Sequence, residues 1–535
     1  MSNQSQSNDP SYRYVTTSIP YVNGAPHIGH ALEYVQGDVL ARWARLHGYW
    51  VRFQTGADEN ALKNVQAAQK EGIPVQTLVA RNAERFRDLA NCLGLALDNF
   101  IRTSVEPTHV TAVHKFWRAC ADSGDIYKKA YSGLYCVNCE QFYEDEELPN
   151  GLCPVHETKP DLVEEENYFF RLSRYQDLLQ ERIETDALHI VPETRKNEVL
   201  SFIRRGLRDF SISRSQARAH GWGIPVPDDP GQVIYVWFDA LINYVSGLDY
   251  GAAGQHETLF DTFWPRGAPI HVIGKDITRF HAIYWPAMLL SAGVPLPATV
   301  LVHGFLTVNG AKISKSKGNG VDPLALAAQY GTEALRYYLL RKVPATADGD
   351  FSEAELRQSY ESELANQLGN LLNRTVRMIE RYHNGAIPTP QQPTVLEEGL
   401  IQTAALVVAQ VEAEFNAFAL HKATAAIWML IGAANKYVVD VEPWALAKAR
   451  AHGDAHAAER LATSLYTTAE ALRLTAELLR PFLPSTAAAI ADQLGVTLAP
   501  VGEWSAARQW GVLASGGQVQ AGATLFPKGD DRVKR

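Results

Sequence analysis

The sequence has little cysteine and no long apolar run. Only five of its 535 residues are cysteine, too few for a disulfide framework in a chain of this length. Apolar stretches such as Ala287–Ala298 are short and are interrupted by Gly and Pro, which excludes a membrane-spanning helix. The opening segment Met1–Pro10 is polar and has no apolar signal core. We therefore expect a cytoplasmic protein without a membrane partner.

The chain also lacks an excess of positive charge. Its formal net charge is −9, which argues against indiscriminate nucleic-acid binding and requires any RNA contact to lie on a local basic surface. The apolar fraction of 46% and the charged fraction of 20% are typical of globular proteins. A chain of 535 residues exceeds what one hydrophobic core supports, so we expect three or four domains or subdomains.

Strand and helix patterns alternate at the start of the chain. Tyr12–Ile19 is rich in β-forming residues, Ala31–His47 has the apolar spacing of a helix, and Trp50–Gln54 resembles a second strand. This order predicts a βαβ unit. After a turn-rich stretch from about residue 121 to 226, short apolar strands are predicted again at Val233–Phe238, Ile270–Ile273 and Val300–Phe305. We expect one parallel sheet that resumes after an insertion.

The last third of the chain has a different composition. From Ser352 onward, helix-forming residues dominate and strand candidates are few, which predicts a helical bundle. The expected fold class is therefore α/β, a Rossmann-like parallel-sheet domain split by an insertion and followed by helices. The expected limits are residues 11–120 and 229–310 for the two halves of the sheet domain, 121–228 for the insertion, 311–360 for a loop and stem-contact region, and 361–535 for the bundle.

A histidine motif stands between the first predicted strand and the first predicted helix. It reads Pro26-His27-Ile28-Gly29-His30. A helix N-terminus presents unpaired N–H groups and positive dipole to phosphates, a glycine lets a nucleotide approach the backbone, and imidazoles can donate hydrogen bonds to phosphate oxygens. Taken alone, such a motif is more often two surface histidines near a turn.

A lysine motif follows the last predicted strand of the sheet. Lys312-Ile313-Ser314-Lys315-Ser316 lies in a loop with Gly310, Gly318 and Gly320, which can close over a triphosphate and place ammonium groups on developing charge. A solvated charge run is the alternative for this motif alone. Together with the early His-Ile-Gly-His, however, it forms the signature pair of class I aminoacyl-tRNA synthetases, which this chain resembles. The family usually has Met where this chain has Ile313.

The predicted insertion carries a metal-like cysteine pattern. Cys136-Val-Asn-Cys139 is followed after thirteen residues by Cys153-Pro-Val-His156. Three thiolates and one imidazole make a closed tetrahedral set for Zn²⁺ with no open position, which indicates a structural rather than a catalytic metal. The alternative is a knuckle that has kept its fold without metal.

The resemblance narrows to methionyl-tRNA synthetases and runs from about Tyr12 to at least Lys448. It is carried by Ser18-Ile-Pro-Tyr-Val-Asn-Gly24, Tyr235-Val-Trp-Phe-Asp-Ala240, Ile273-Gly-Lys-Asp276 and Glu442-Pro-Trp444. The resemblance implies an enzyme that activates methionine with Mg·ATP to methionyl-adenylate. It then implies transfer of methionine to the terminal adenosine of tRNA(Met), with release of AMP.

The resemblance also assigns site residues. It places the phosphates and nucleotide against His27, Gly29, His30, Gly274, Asp276, Lys312 and Lys315, although a structural salt bridge is the alternative for Asp276. Asp58 matches the residue that holds the methionine ammonium and orients the reaction. The apolar and aromatic methionine pocket is assigned to Ile19, Tyr21, Trp237, Ala240, Leu241, Tyr244, Ile277, His281 and Trp285. Related enzymes commonly have His where this chain has Asn60, so no role follows for that side chain.

One C-terminal segment separates its polar and apolar residues cleanly. At 100° per residue around Glu361–Tyr382, one face collects Leu364, Leu368, Leu371, Leu372, Thr375 and Ile379, and the other collects Asn366, Asn370, Asn373, Arg374, Arg377 and Arg381. The resemblance places anticodon recognition at Asn370 and Arg374, with Trp444 stacking on an anticodon base. An ordinary amphipathic surface helix is the alternative.

Other interpretations remain open from the sequence. Leucyl-, isoleucyl- and valyl-tRNA synthetases resemble larger proteins with an editing insertion, and a cysteinyl enzyme would use its zinc at the substrate thiol. A non-catalytic RNA-binding paralogue would not need His27, His30, Lys312 and Lys315, and a simpler nucleotidyltransferase would not need the bundle. We expect a monomer, because the chain is short for the added dimerising module of some relatives.

Overall fold

The computed structural model describes residues 11–136, 141–143, 145–154, 157–252, 258–308, 310–312 and 320–528. Its chain divides into two compact units. The first unit comprises Met1–Gly37, Trp50–Asn91 and Leu95–His303, and the second comprises Asp38–Tyr49, Cys92–Gly94 and Gly304–Arg535. The predicted site residues Lys315, Cys139 and His156, and the side chain of Lys312, lie outside the described part of the chain.

The strands are numbered in chain order. They are β1 Tyr12–Thr17, β2 Trp50–Ala57, β3 Asn99–Arg102, β4 Ile126–Cys136, β5 Gln141–Tyr143, β6 Asp161–Phe170, β7 His189–Val191, β8 Phe210–Ser211, β9 Ser213–Ser215, β10 Pro225–Val226, β11 Asp229–Ile234, β12 Ile270–Gly274, β13 Thr299–His303, β14 Leu306–Val308, β15 Ala311–Lys312 and β16 Gly349–Phe351.

The helices are numbered in the same way. The α-helices are α1 Ile28–Leu46, α2 Leu62–Glu71, α3 Val75–Cys92, α4 Pro107–Asp122, α5 Gln176–Glu184, α6 Glu193–Arg204, α7 Val236–Leu241, α8 Asn243–Ser246, α9 Leu259–Arg266, α10 Trp285–Ser291, α11 Pro323–Tyr330, α12 Thr332–Arg341, α13 Glu353–Ser359, α14 Asn370–His383, α15 Val395–Asn416, α16 Leu420–Val441, α17 Pro443–Ala451, α18 Ala455–Leu479, α19 Pro484–Leu494 and α20 Trp504–Ala507. Phe280–Tyr284 and Tyr360–Gly369 are π-helical, and the 3₁₀ turns are Asp145–Glu147, Pro149–Gly151, Leu172–Tyr175 and Lys275–Ile277.

A six-stranded parallel sheet forms the centre of the first unit. Its order is β3-β2-β1-β12-β13-β7, with Val15 opposite Phe53 on one side and opposite Ile270 on the other. The predicted βαβ unit is confirmed as β1, α1 and β2. Since the chain leaves β1 toward β2 and leaves β12 toward β13, the connections diverge between β1 and β12. Sheets of this kind bind ligands at the carboxyl ends of the strands flanking that point.

The prediction of a strand over Val233–Phe238 was wrong. Strand β11 ends at Ile234 and α7 begins at Val236. Moreover, β11 pairs antiparallel with β9 and β10 and is not part of the central sheet. Periodicity cannot distinguish a short buried helix from a buried strand, because both present a continuous apolar run.

The segment between the two halves of the central sheet contains two small antiparallel sheets. The larger has the order β5-β4-β6-β8, and β4 pairs with β6 from Ile126 opposite Phe170 to Tyr135 opposite Asp161. The smaller has the order β10-β11-β9. The edge strand β7, which falls within the range expected for the insertion, pairs in parallel with β13 of the central sheet.

Aromatic side chains dominate the core of the first unit. Trp264 and Trp285 are at most 1% exposed, and their indole N–H groups donate to Pro295 O at 2.8 Å and to His271 Nε2 at 3.3 Å. A buried indole that keeps its hydrogen bond adds apolar area without an unsatisfied donor. The core therefore fixes the helices that follow β11 and β12.

After β16 the described residues of the second unit form helices α13 to α20 and one π-helical segment, as the composition predicted, and the stretch that follows α20 is irregular. Arg336 of α12 is fully buried there. Its guanidinium lies 2.7 Å from Asp38 Oδ2 and donates to the carbonyls of Phe482 and Leu93 at 3.0 and 3.1 Å. A buried charge is tolerated only when it is paired and its donors are used, so these contacts satisfy Arg336 inside the unit.

Candidate active site

The histidine motif lies where the chain passes from β1 to the start of α1. His27 Nδ1 accepts from the Gly29 N–H at 3.1 Å, and His30 Nδ1 accepts from the His27 N–H at 3.0 Å. The two rings lie 3.8 Å apart. Because both Nδ1 atoms act as acceptors, each neutral ring carries its proton on Nε2. That tautomer can donate to a phosphate oxygen.

Gly29 fits this turn because it has no side chain. A Cβ at this position would come within 3.0 Å of the His27 ring. A larger residue would thus displace the imidazole that the turn positions. His27, Gly29 and His30 are brought together as the sequence predicted.

Asp58 lies at the end of β2, beside the β1 end. Its N–H donates to Pro20 O at 2.9 Å, it forms a parallel bridge with Tyr21, and it is 2% exposed. Asn64 Nδ2 donates to the carbonyl of Asp58 at 3.1 Å. The backbone around Asp58 is therefore fixed next to Tyr21, a predicted pocket residue.

An aromatic cluster follows at the carboxyl end of the sheet. Tyr21 meets Trp237 edge to face with ring centroids 6.1 Å apart, and Trp237 stacks on Phe280 at 3.8 Å. Trp237 also lies edge to face with His281 at 6.4 Å. Phe280 was missed by sequence reasoning, although it directly precedes His281 in the chain. The structure therefore adds a stacking partner to the predicted set.

Tyr244, His281 and Trp285 form the inner part of the same cluster. Tyr244 Oη lies 2.7 Å from His281 Nε2, and His281 Nδ1 lies 3.0 Å from Ile277 O. Since a carbonyl only accepts, Nδ1 carries the proton and Nε2 accepts from the tyrosine. Burial lowers the pKa of His281 to about 4, opposed by the bond to Ile277. The imidazole is thus neutral at neutral pH.

The remaining predicted pocket residues lie on neighbouring segments. Ala240 and Leu241 are buried on α7, the helix that carries Trp237. Ile19 Cγ2 lies 3.0 Å from where a Cβ would stand on Gly56 of β2. The π-helical turn Phe280–Tyr284 carries His281, and such turns are frequent at functional sites.

Gly274 and Asp276 follow the end of β12. A Cβ on Gly274 would stand 2.9 Å from Asp276 Oδ1, so glycine lets the carboxylate lie over the strand end. Asp276 is exposed. The predicted nucleotide residues of β12 thus reach the same sheet edge as the histidine motif of α1.

A hydrogen-bonded carboxylate at this edge was missed by sequence reasoning. Glu33 Oε1 accepts from the N–H and the hydroxyl of Ser18 at 2.8 and 2.5 Å, and Glu33 Oε2 lies 2.9 Å from His303 Nε2. These bonds tie the ends of β1 and β13 to α1. Its spacing from His30 could have predicted it, because Glu33 follows His30 by three residues and therefore lies on the same face of the helix.

The two described cysteines of the metal-like pattern share one small core. Cys136 and Cys153 are at most 2% exposed and pack with Tyr143 and Leu148. No group of three or more potential metal ligands occurs within the described residues. Cys139 and His156, which the sequence predicts as the other two ligands, lie outside them.

The segment Tyr360–His383 differs from the single α-helix that was predicted. It is π-helical over Tyr360–Gly369 and α-helical from Asn370 onward. The predicted division into faces is nevertheless confirmed. The apolar-side residues Leu364, Leu368, Leu371, Leu372, Thr375 and Ile379 are buried, and the polar-side residues Asn366, Asn370, Asn373, Arg374, Arg377 and Arg381 are exposed.

Neighbouring helices contribute two further groups to the exposed face of this unit. Arg374 Nη2 donates to Asn435 Oδ1 of α16 at 3.3 Å, and Asn435 Nδ2 donates to Gln367 O at 3.1 Å. Trp444, at the start of α17, is 46% exposed. An exposed aromatic ring and a positioned guanidinium are the groups that unpaired bases stack on and bond to.

No helix in the described ranges is long and apolar enough to cross a membrane.

Two family models match the chain. The model described as class I tRNA synthetases (M) matches residues 13–159 and 143–376. The model described as the anticodon binding domain of methionyl tRNA ligase matches residues 387–535.

Similar proteins carry the same description. Methionine–tRNA ligase of Mycobacterium tuberculosis is 44% identical over 90% of this chain and 92% of its own, and that of Thermotoga maritima is 42% identical over 97% and 80%. The solved structure of the M. tuberculosis methionyl-tRNA synthetase in complex with methionyl-adenylate aligns with a TM-score of 0.90 and 42% identity over 97% of this chain and 100% of that chain. The chain belongs to the methionyl family of class I tRNA synthetases.

Proposed function

We propose that this chain is a methionine–tRNA ligase that forms methionyl-adenylate from methionine and ATP and then charges tRNA(Met). The observation that carries the proposal is the aromatic cluster around Trp237 and His281 at the same sheet edge as the His27–His30 turn. The first can hold an apolar amino-acid side chain and the second can hold phosphates. The family to which the chain belongs supports the same activity.

In the first step the methionine carboxylate attacks the α-phosphorus of ATP, the new O–P bond forms, and pyrophosphate leaves. No side chain acts as nucleophile, so catalysis rests on positioning and charge stabilisation. His27 and His30 donate from Nε2 to the phosphates, and Lys312 and Lys315 supply positive charge. The Mg²⁺ that accompanies ATP offsets part of the triphosphate charge. In the second step the terminal ribose 2′-hydroxyl of the tRNA attacks the adenylate carbonyl and releases AMP.

Methionine recognition divides between a charged and an apolar end. Asp58 holds the ammonium group at the end of β2. The thioether chain enters the cluster of Trp237, Tyr244, His281 and Trp285. Thioether sulfur makes favourable contacts with the edges of aromatic rings, and a flexible apolar chain is bound by a complementary cavity shape more than by hydrogen bonds. A neutral His281 suits this site, since an imidazolium would be poorly solvated there. Ile19, Tyr21, Ala240, Leu241 and Ile277 complete the walls, and Gly274 and Asp276 receive the nucleoside.

The insertion holds one structural Zn²⁺ in this proposal. Cys136 and Cys153 are buried in one small core, which fits two of four ligands, and Cys139 and His156 would supply the other two. A closed site of this kind contributes folding free energy and does not touch substrate.

The second unit reads the anticodon in this proposal. Asn370 and Arg374 contact bases from the exposed face of α14, and Trp444 stacks on one of them. The domain limits proposed from the sequence are residues 11–120 with 229–310, 121–228, 311–360 and 361–535, except that β7 of the range 121–228 belongs to the central sheet. We further infer a cytoplasmic monomer, a state that light scattering of the purified protein would test.

Pyrophosphate exchange tests the proposal directly. The purified protein should exchange labelled pyrophosphate into ATP when methionine is supplied, because adenylate formation is reversible and needs no tRNA. Exchange that depended on cysteine, leucine, isoleucine or valine would overturn the substrate assignment. Absence of exchange with every amino acid would instead support a non-catalytic RNA-binding protein.

A further inference from the structure

A series of buried hydrogen bonds runs from Asn60 through Asp239 and His109 to Ser246. Asn60 Nδ2 donates to Asp239 Oδ2 at 3.0 Å. His109 Nε2 lies 3.0 Å from Asp239 Oδ1, and His109 Nδ1 lies 2.7 Å from Ser246 Oγ. Asn60 is 9% exposed and the other three are at most 1% exposed. Each oxygen of the Asp239 carboxylate thus has its own donor, away from water.

These bonds connect segments that carry pocket residues. Asn60 follows Asp58 by two residues in the loop after β2. Asp239 lies on α7, two residues after Trp237 and next to Ala240. The Asn60–Asp239 bond therefore joins the loop of the ammonium-binding carboxylate to the helix that forms a wall of the pocket.

The neighbouring residue Glu59 fixes the same loop through other contacts. Its carboxylate lies 2.7 Å from Arg102 Nε, its N–H donates to Thr103 Oγ1 at 3.0 Å, and its carbonyl accepts from Trp222 Nε1 at 2.8 Å. These contacts hold the loop against the end of β3. The Asn60 amide adds an anchor on α7 through its bond to Asp239.

An amide suits position 60 because it brings a neutral donor to a buried carboxylate. Burial raises the pKa of Asp239, and hydrogen bonds from His109 and Asn60 oppose that rise. Alanine at position 60 would leave Oδ2 without this donor, and aspartate would set two acceptors face to face. Either change removes a bond whose loss inside a protein is costly.

We propose that Asn60 is a positioning residue for methionine: by holding Asp239, its amide keeps Asp58 and Trp237 at the spacing that the ammonium group and the side chain of one methionine require. This inference rests on the proposed function. It assigns a role to a position where the resemblance to relatives assigns none, and it predicts a defect in methionine binding rather than in ATP binding.

Steady-state pyrophosphate exchange with Asn60→Ala and Asn60→Asp tests this role. Both variants should raise KM for methionine roughly tenfold or more, the scale of losing a buried hydrogen bond to a charged group. The kcat and KM for ATP should stay within about twofold, as when a binding contribution that is equal in the ground state and the transition state is lost. Methionine binding at equilibrium, measured by calorimetry below the melting temperature, should weaken in parallel.

A double variant that exchanges the amide and the carboxylate should restore methionine binding. In the Asn60→Asp, Asp239→Asn double variant the donor and acceptor trade places, so the pair can bond again. The double variant should bind methionine more tightly than Asn60→Asp alone, a coupling that a double-mutant cycle measures. Ser291→Ala is the matched control, because it removes a buried hydrogen bond to Asp125 within the same unit. It should lower Tm without changing KM for methionine.

The outcomes separate the possibilities. If Asn60→Asp lowers Tm as Ser291→Ala does and KM for methionine does not change, Asn60 is structural and the proposal fails. It also fails if KM for ATP rises equally, or if the double variant binds methionine no better than Asn60→Asp. A wild-type protein without methionine-dependent exchange would refute the proposed function itself, and calorimetry with methionine would then still report on Asn60.

Discussion

The two units present their candidate recognition residues in opposite ways. In the first unit, Tyr244, His281 and Trp285 are at most 1% exposed; Tyr244 bonds to His281, and its ring packs at a tilt against Trp285. In the second unit, Asn370 and Arg374 are exposed, and Trp444 keeps about half of its surface in solvent. In the proposed function, a small substrate is therefore enclosed by side chains that also form the core, whereas the tRNA is contacted by side chains that are exposed to solvent.

Because of this difference, a mutation should have different effects in the two units. A change in the buried cluster alters packing and binding together, because the same contacts serve both. In the proposed function, a change on the exposed face removes a tRNA contact and leaves the helix intact. Variants of the two units should therefore fall into distinct classes in assays of adenylate formation and of tRNA charging.

Lys315→Ala should give the largest effect. Loss of one charge donor to the transition state is expected to slow methionine-dependent pyrophosphate exchange at least about a hundredfold, with methionine affinity nearly unchanged. The measurement is steady-state exchange together with equilibrium methionine binding. Lys436→Ala, which removes an exposed lysine paired with Asp440 on α16, is the control and should exchange normally. A full rate in Lys315→Ala would remove the lysine motif from the mechanism.

Trp444→Ala should have the second largest effect, and it should lower tRNA charging without lowering adenylate formation. Base stacking on an aromatic ring contributes about 1–3 kcal/mol, so aminoacylation efficiency should fall roughly ten- to a hundredfold or somewhat more. Exchange without tRNA should stay near the wild-type rate. Arg374→Ala should behave similarly, and both variants should lose part of their preference for the CAU anticodon.

Leu406→Ala is the control for Trp444→Ala, because Leu406 is 71% exposed on α15 and has no proposed role. It should charge tRNA normally. If Trp444→Ala instead lowers Tm by several degrees and keeps its anticodon preference, Trp444 packs the bundle. The contrast between the units would then hold for α14 alone.

The sequence predicted most of this contrast, and its errors have physical causes. The helical periodicity around α14 correctly predicted that Leu372 is buried and Arg374 is exposed, because burial along a helix repeats with its turn. The segment predicted as a strand over Val233–Phe238 ends strand β11 at Ile234 and begins helix α7 at Val236, and the periodicity of a short apolar run cannot distinguish the two. The Glu33–His303 contact joins residues 270 positions apart. Patterns in one sequence do not predict contacts between residues so far apart, and the bond between Asn60 and Asp239 could not be predicted for the same reason.

Zinc removal should have a smaller, indirect effect. One Zn²⁺ per chain should co-purify, and Cys139→Ala should abolish it, loosen the insertion and lower exchange activity only through that loosening. Elemental analysis and limited proteolysis are the measurements. Cys120→Ala is the control, since Cys120 is buried beside Met288 O and outside the motif, and it should keep its zinc. Active enzyme without bound zinc would contradict the assignment.

Acid should act on two buried groups, His281 of the first unit and Glu397 of the second, in different pH windows, and this is the smallest expected effect. In the first unit burial lowers the pKa of His281 to about 4 and also lowers that of His271. The unfolded chain takes up these protons below about 6.5, before the folded protein does. Stability should therefore fall as pH drops from about 6.5 toward 4.

Glu397 in the second unit should act in a lower window. Burial opposes its ionisation, but hydrogen bonds from Arg460, Thr394 and Tyr437 outweigh burial and hold its pKa at about 2. The carboxylate thus stabilises the fold above the ordinary glutamate pKa of about 4.3, and this stability is lost as pH falls toward 2. Melting temperature measured by calorimetry from pH 7 to 2.5 should show both slopes. His281→Gln should flatten the upper one by about half, because His271 still titrates there, whereas Glu397→Gln should flatten only the lower one. If both variants altered the same window, His281 and Glu397 would not act in separate windows.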